Sequence, residues 1–282
     1  MKPYFRLLRP ATLLPPLCGG LLFGLMGIRI SGLSLTGEVI FRGLFSGVIL
    51  ACANGISNIV NQIHDRDLDR LQPHKRNRPI PAGEVSVDEA LSVVVIMMIV
   101  TLSLAWFFFP VSYSILLSVI LAFSWMYNSP PLRLKNRLVW SNLAIATPRG
   151  ALGIIAAFSA FGDPWDSHIL VSALALGIYV YGANTFKDYE DCEVDKKMGV
   201  RNFCTVYGKE KASAMVIPFL GLPFFIFALT ENIAVLCALP VSFVMVRILY
   251  KNPSLEGDGV LMWKLFYLQF ALMMVLYVLP YL

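Results

Sequence analysis

Charge is scarce in this 282-residue chain: Asp, Glu, Lys and Arg together make up 15% of it, against 57% hydrophobic residues. Soluble domains carry about a quarter charged residues, so the composition excludes a soluble globule and fits a membrane protein. Histidine is scarcer still, and His64, His74 and His168 are too scattered for a histidine metal centre. The five cysteines, Cys18, Cys52, Cys192, Cys204 and Cys237, include no CxxC or zinc-finger pair, which leaves cysteine chemistry incidental. Walker A, GxGxxG, GxSxG and HExxH patterns are all absent, and with them the P-loop, dinucleotide, serine-hydrolase and zincin chemistries. A net charge of +5 does not indicate nucleic acid, because the basic residues are divided among short loops between apolar runs.

What is abundant is apolar sequence, in runs long enough to cross a hydrocarbon core of about 30 Å. The first, Met1 to Gly27, carries Lys2, Arg6 and Arg9 and is interrupted by Pro10, Pro15 and Pro16. With no small-x-small cleavage site, it reads as a retained, Pro-kinked membrane helix rather than a signal peptide. Gly37 to Gln62, Leu91 to Phe109, Val111 to Tyr127, Val139 to Phe161, Ile169 to Phe186, Ala212 to Leu229, Ile233 to Leu249 and Val260 to Leu279 complete nine spans, with short joints at Pro110 and at Glu231-Asn232. Asp65 to Glu89 reads as the longest polar loop, and Ser86-Val87-Asp88-Glu89 as a capping box opening the next helix. With the N-terminus in the cytoplasm, 20 of the 23 Lys and Arg residues fall on the inside; only Arg29 and Arg42 fall outside, and Arg149 lies within a span. This positive-inside bias predicts an all-α integral membrane fold of nine transmembrane helices, one polytopic domain over residues 1–282. Its expected location is the plasma membrane, with N-terminus and polar loops cytoplasmic and the C-terminus outside.

Two stretches stand out from the apolar background. Asn54, Asn58, Asn61 and Asp65 step by four, three and four residues, which puts them on one face of a helix, and Asn184, Asp188, Asp191 and Asp195 repeat the steps. Asp65/Asp69 and Asp191/Asp195 form two DxxxD pairs 126 residues apart. Carboxylates gathered at one membrane edge repel each other unless cations neutralise them, and magnesium, an oxygen-seeking ion that bridges carboxylates to phosphates, suits such a site. Lys187, Arg78 and Lys135 are the preferred donors to the remaining phosphate charge. Asn54 and Asn58 either touch substrate or hydrogen-bond neighbouring helices. Arg149, an arginine inside a span, either meets an anionic group on a substrate or neutralises an internal partner. Metal-assisted departure of a diphosphate above an apolar chamber, which shields a carbocation from water, is the chemistry these residues suit best. The alternative is a cation-coupled transporter using the same Asn and Asp residues.

The chain resembles the UbiA superfamily of intramembrane prenyltransferases. The resemblance rests on Asn61-xxx-Asp65-xxx-Asp69, on Arg76-Asn77-Arg78-Pro79-Ile80-Pro81-Ala82-Gly83, on the run from Tyr127-Asn128-Ser129-Pro130-Pro131 to Lys135, and on Lys187-Asp188-xx-Asp191-xxx-Asp195-xxx-Gly199. The Arg-Asn-Arg-Pro and Ser-Pro-Pro runs resemble the branch with chlorophyll synthase, homogentisate prenyltransferases and archaeal geranylgeranylglyceryl phosphate prenyltransferases. The resemblance implies a bundle around a central cavity capped by two cytoplasmic loops. It also implies two magnesium ions held by Asn61, Asp65 and Asp69 on one side and by Asp191 and Asp195 on the other, with Asp188 in support and Tyr127 among the substrate-binding residues. The implied substrates are an isoprenyl diphosphate and a hydrophobic acceptor, as in lipid or quinone biosynthesis, among membrane lipids and with no obligate protein partner.

Overall fold

The computed structural model describes residues 2–230 and 232–282; Met1, in the first expected span, and Glu231, at the eighth, lie outside the described residues. The apolar runs become helices: α1 (Lys2–Leu7), α2 (Leu14–Ile30), α3 (Gly37–Leu71), α4 (Val87–Phe108), α5 (Val111–Asn128), α6 (Leu138–Ala146), α7 (Gly153–Ser159), α8 (Ser167–Ala183), α9 (Cys192–Lys197), α10 (Phe203–Tyr207), α11 (Lys209–Ala228), α12 (Leu239–Lys251) and α13 (Gly259–Val278). Among the described residues, nine segments are long and apolar enough to cross a membrane, so the expected class and number of spans are observed. The chain divides into two compact units, Met1–Arg133 with Ile155–Pro164, and Leu134–Ile154 with Trp165–Leu282.

In the first unit, the expected kinked helix at the start is two pieces. Pro10 disfavours the α region at the residue before it, and Arg9 takes a left-handed φ of 54° between α1 and a 3-10 turn over Pro10–Leu13. Side-chain amides from α3 satisfy carbonyls around the break. Gln62 Nε2 donates to Leu7 O at 2.8 Å, Asn58 Nδ2 to Leu8 O and Thr12 Oγ1 at 2.8 Å each, and Asn54 Nδ2 to Thr12 O at 2.9 Å. In an apolar setting an unmet carbonyl is costly, so these amides have a structural task. α2 and α3 meet at Gly20 and Gly47, where a Cβ on Gly47 would stand 2.6 Å from the Leu17 carbonyl oxygen; small residues let helix backbones pack closely in lipid. Asp65 to Leu71, expected as loop, is the end of α3. Its 35 residues extend roughly 50 Å at the helical rise, well past the hydrocarbon core, and carry the first acidic run out of it. α4 opens on the expected Ser86/Glu89 capping box.

In the second unit α8 is buried along Ala175, Leu176, Tyr179 and Ala183. Tyr179 Oη donates to Phe266 O on α13 at 3.1 Å, and Ser242 Oγ on α12 donates to Leu220 O on α11 at 2.8 Å. Thr147–Leu152 forms a π turn in which the Gly153 N–H bonds the Pro148 carbonyl, a local widening where proline has removed one helical donor. The second acidic run departs from the expected single helical face. α8 stops at Ala183, Asn184–Asp188 tightens into a 3-10 turn, and α9 starts anew after Asp191. Gly199, with φ of 72°, follows α9. Cys192 and Cys204, expected to be incidental, are joined by a disulfide with Cα atoms 5.9 Å apart. Both sit buried on the neighbouring helices α9 and α10.

Candidate active site

In the first unit, one turn of helix separates Asn61 from Asp65 and another separates Asp65 from Asp69. Asp65 is 7% exposed and Asp69 2% exposed, so two carboxylates are buried in the last two turns of α3, and each has a cation beside it. Arg133 Nη2 stands 3.4 Å from Asp65 Oδ1, and Arg78 Nη1 donates to Asp69 Oδ2 at 2.7 Å. Asn61 Nδ2 donates to Asp65 Oδ2 at 2.8 Å and to Asn128 Oδ1 at 2.9 Å. The loop that carries Arg78 is tied down from α1, where Arg6 Nη1 reaches both Glu84 carboxylate oxygens at 2.8 Å. Tyr127 is half-buried in the last turn of α5. Off-phase Asp67 is exposed between Arg66 and Arg70. Between α3, α4 and α5, an apolar cavity of about 240 Å³ opens beside Val60 and Trp125. It suits hydrocarbon rather than phosphate. Asn128 was missed as a partner of the acidic run, although it lies in the same proline-rich stretch as Arg133 and Lys135.

In the second unit Asn184, Asp188, Asp191, Asp195 and Lys135 are all buried. Lys187 Nζ stands 3.6 Å from Asp188 Oδ1, and Asn202 Nδ2 donates to Asp195 Oδ2 at 3.1 Å. Burial pulls the Lys135 ammonium down to about 8; Asp195 opposes that, Lys187 adds to it, and Asp188 and Asp191 oppose it again. Arg149 lies exposed on the π turn in the middle of the fifth span. The disulfide ties the residue after Asp191 to the helix that begins after Asn202.

Among the described residues, no three His, Cys, Asp or Glu side chains converge into a set that holds a metal unaided. The donors are carboxylates and amides, and they fit a hard cation that keeps waters and shares phosphate oxygens. One buried atom supports that fit: Asn184 Nδ2 has no hydrogen-bond partner among the described residues and offers an N–H to an anion.

The model of the UbiA prenyltransferase family matches residues 13–270. The chain belongs to the UbiA prenyltransferase family. It is an integral membrane enzyme of that family, and the transporter alternative gains no support. Its relatives include the bacteriochlorophyll synthase 34 kDa chain of Chloroflexus aurantiacus, 27% identical over 223 residues that cover 77% of this chain and 68% of the relative. Digeranylgeranylglyceryl phosphate synthase of Saccharolobus solfataricus is 25% identical over 267 residues, covering 91% of this chain and 89% of the relative. Among solved structures, a UbiA homolog from Archaeoglobus fulgidus bound to GPP and Mg2+ shares the fold with a TM-score of 0.70 at 21% identity, covering 96% of this chain and 99% of that one.

Proposed function

We propose that this enzyme transfers a prenyl group from an isoprenyl diphosphate to an aromatic or lipid acceptor inside the membrane, with magnesium as the divalent cation. The observation that carries the reading is the burial of Asp65 and Asp69 beside Arg78 and Arg133, and separately of Asp188, Asp191 and Asp195 beside Lys135 and Lys187, in a prenyltransferase-family chain. Asn61, Asp65 and Asp69 would hold one ion, and Asp191 and Asp195 a second, with Asp188 in support. Bound magnesium would neutralise the diphosphate and make it a better leaving group. Arg78, Lys135 and Lys187 give the phosphate oxygens charged donors, and Asn184 gives a neutral one. The allylic C–O bond breaks with its electron pair leaving on the diphosphate, the acceptor attacks the allylic carbon, and the acceptor then loses a proton. Apolar spans keep water from the cation.

Arg149 is assigned to an anionic group of the acceptor, because an arginine within a span is costly without a functional reason. Tyr127, at the end of α5, is assigned to the substrate side. Asn54 and Asn58 are assigned to holding the chain around Leu8 and Thr12, since their amide donors are used there. The positive-inside bias supports a cytoplasmic N-terminus and acidic clusters at the cytoplasmic side of the plasma membrane.

The test is diphosphate release by purified protein in detergent from isoprenyl diphosphates of several lengths, with magnesium or EDTA, before and after adding aromatic and lipid acceptors. Magnesium-dependent release that an acceptor accelerates, with a prenylated product by mass, is expected. No release from any of them by folded protein contradicts the reading.

A further inference from the structure

Asn128 closes α5 and is fully buried, outside the set of side chains assigned to substrate. Its Nδ2 donates to the Ser124 carbonyl at 2.8 Å. A carbonyl only accepts, so the amide orientation is determined: Asn128 Oδ1 faces α3 and receives the Asn61 Nδ2 donor at 2.9 Å. Asn61 spends its second N–H on Asp65 Oδ2 at 2.8 Å, which leaves Oδ1 as the atom it presents. An amide ligates a hard cation through that oxygen alone. The bond to Asp65 is a poor guarantee of this orientation, because a cation drawing on the Asp65 carboxylate competes with the Asn61 N–H for the same oxygens. Asn128 is neutral, buried and held from behind by Ser124, so its grip on Asn61 does not depend on what Asp65 binds.

We propose that Asn128 is a positioning residue which, through Asn61, keeps an amide oxygen turned toward the cation that accompanies the diphosphate. This rests on the reading of Asn61 as a metal ligand given under the proposed function. It extends the first acidic run from three side chains on α3 to a hydrogen-bonded chain that starts on α5 at Ser124.

The experiment titrates magnesium and inorganic pyrophosphate into the purified full-length wild type, Asn128→Leu, Asn61→Ala and the double variant. Binding is read by calorimetry, and folding by circular dichroism and thermal melting. The wild type is expected to bind pyrophosphate only with magnesium. Asn128→Leu is expected to raise the magnesium concentration for half-saturation roughly 10-fold, the scale of losing a residue that orients a ligand. Adding Asn128→Leu to Asn61→Ala is expected to change nothing further, a result that a merely structural role does not give. Asn128→Ser, too short to reach Asn61, replaces the leucine variant if that one does not fold, with the same loss expected. A folded Asn128 variant with wild-type half-saturation overturns the proposal, and so does an equal loss with and without the Asn61 side chain. Failure of the wild type itself to bind pyrophosphate with magnesium removes the underlying metal site and this proposal with it.

Discussion

Asp65 and Asp69 stand on an uninterrupted α3, whereas Asp188, Asp191 and Asp195 stand on a chain that leaves α8, tightens into a 3-10 turn and restarts as the six-residue α9. The two runs share the DxxxD spacing but are held by different means. In the first, a long helix sets the positions and cations brought by neighbouring loops, Arg78 and Arg133, neutralise the charge. In the second, the backbone is short-range and irregular, and position depends on side-chain and covalent ties: Asn202 on Asp195, and Cys192 to Cys204 across the loop. The first cluster is therefore exposed to loss of charge pairing, and the second to loss of tethering.

The largest expected effect treats both clusters alike. Asp65→Asn and Asp191→Asn each remove a carboxylate proposed to hold the metal, and each is expected to lower turnover roughly 10³-fold with the fold retained by circular dichroism; normal turnover in one of them breaks the equivalence of the clusters. Next comes the tether. Cys204→Ser opens a loop whose closure accounts for up to about 3 kcal/mol, and hydrogen exchange is expected to rise over residues 191–204 while residues 61–69 keep their protection. A smaller effect reverses the asymmetry. Arg78→Met removes the guanidinium 2.7 Å from the Asp69 carboxylate and is expected to cost about 2 kcal/mol in thermal unfolding, below the range for fully enclosed pairs because Arg78 keeps some contact with solvent. Lys187→Met, at the longer 3.6 Å contact with Asp188, is expected to cost under about 1 kcal/mol. The smallest effect belongs to Lys135. Its pKa is pulled down to about 8, so the ammonium proposed to meet the diphosphate is lost as pH rises through that value. kcat/KM, which reports the free enzyme, is expected to fall there, and Lys135→Arg is expected to abolish the fall.

The nine spans were legible because apolar runs of about 20 residues have few alternatives, and the distribution of Lys and Arg constrained their number. Asn61 and Asp65 were legible as one face because four-residue steps hold as long as the helix continues, whereas the run of α3 on to Leu71, which carries Asp69, was not, since the polar stretch from Asp65 reads as loop. The same spacing misled at Asn184 to Asp195, since nothing local distinguishes a continuing α-helix from a 3-10 turn followed by a restart. Cys192 and Cys204, 12 residues apart, match no short cysteine motif, and only the packing of α9 and α10 brings them together. Partners of buried polar groups were the least legible. Asn58 finding Leu8, or Asn128 finding Asn61, depends on which helices lie side by side, and that is a tertiary fact.

Both acidic clusters are proposed to be needed for magnesium-dependent diphosphate binding. Equilibrium dialysis of labelled pyrophosphate with magnesium tests this most directly, using wild type, Asp65→Asn, Asp191→Asn and the double variant. One magnesium-dependent pyrophosphate per chain, lost in either single variant, is the expected result. Wild-type affinity retained in either single variant would contradict this, because the altered cluster would then not be needed for binding.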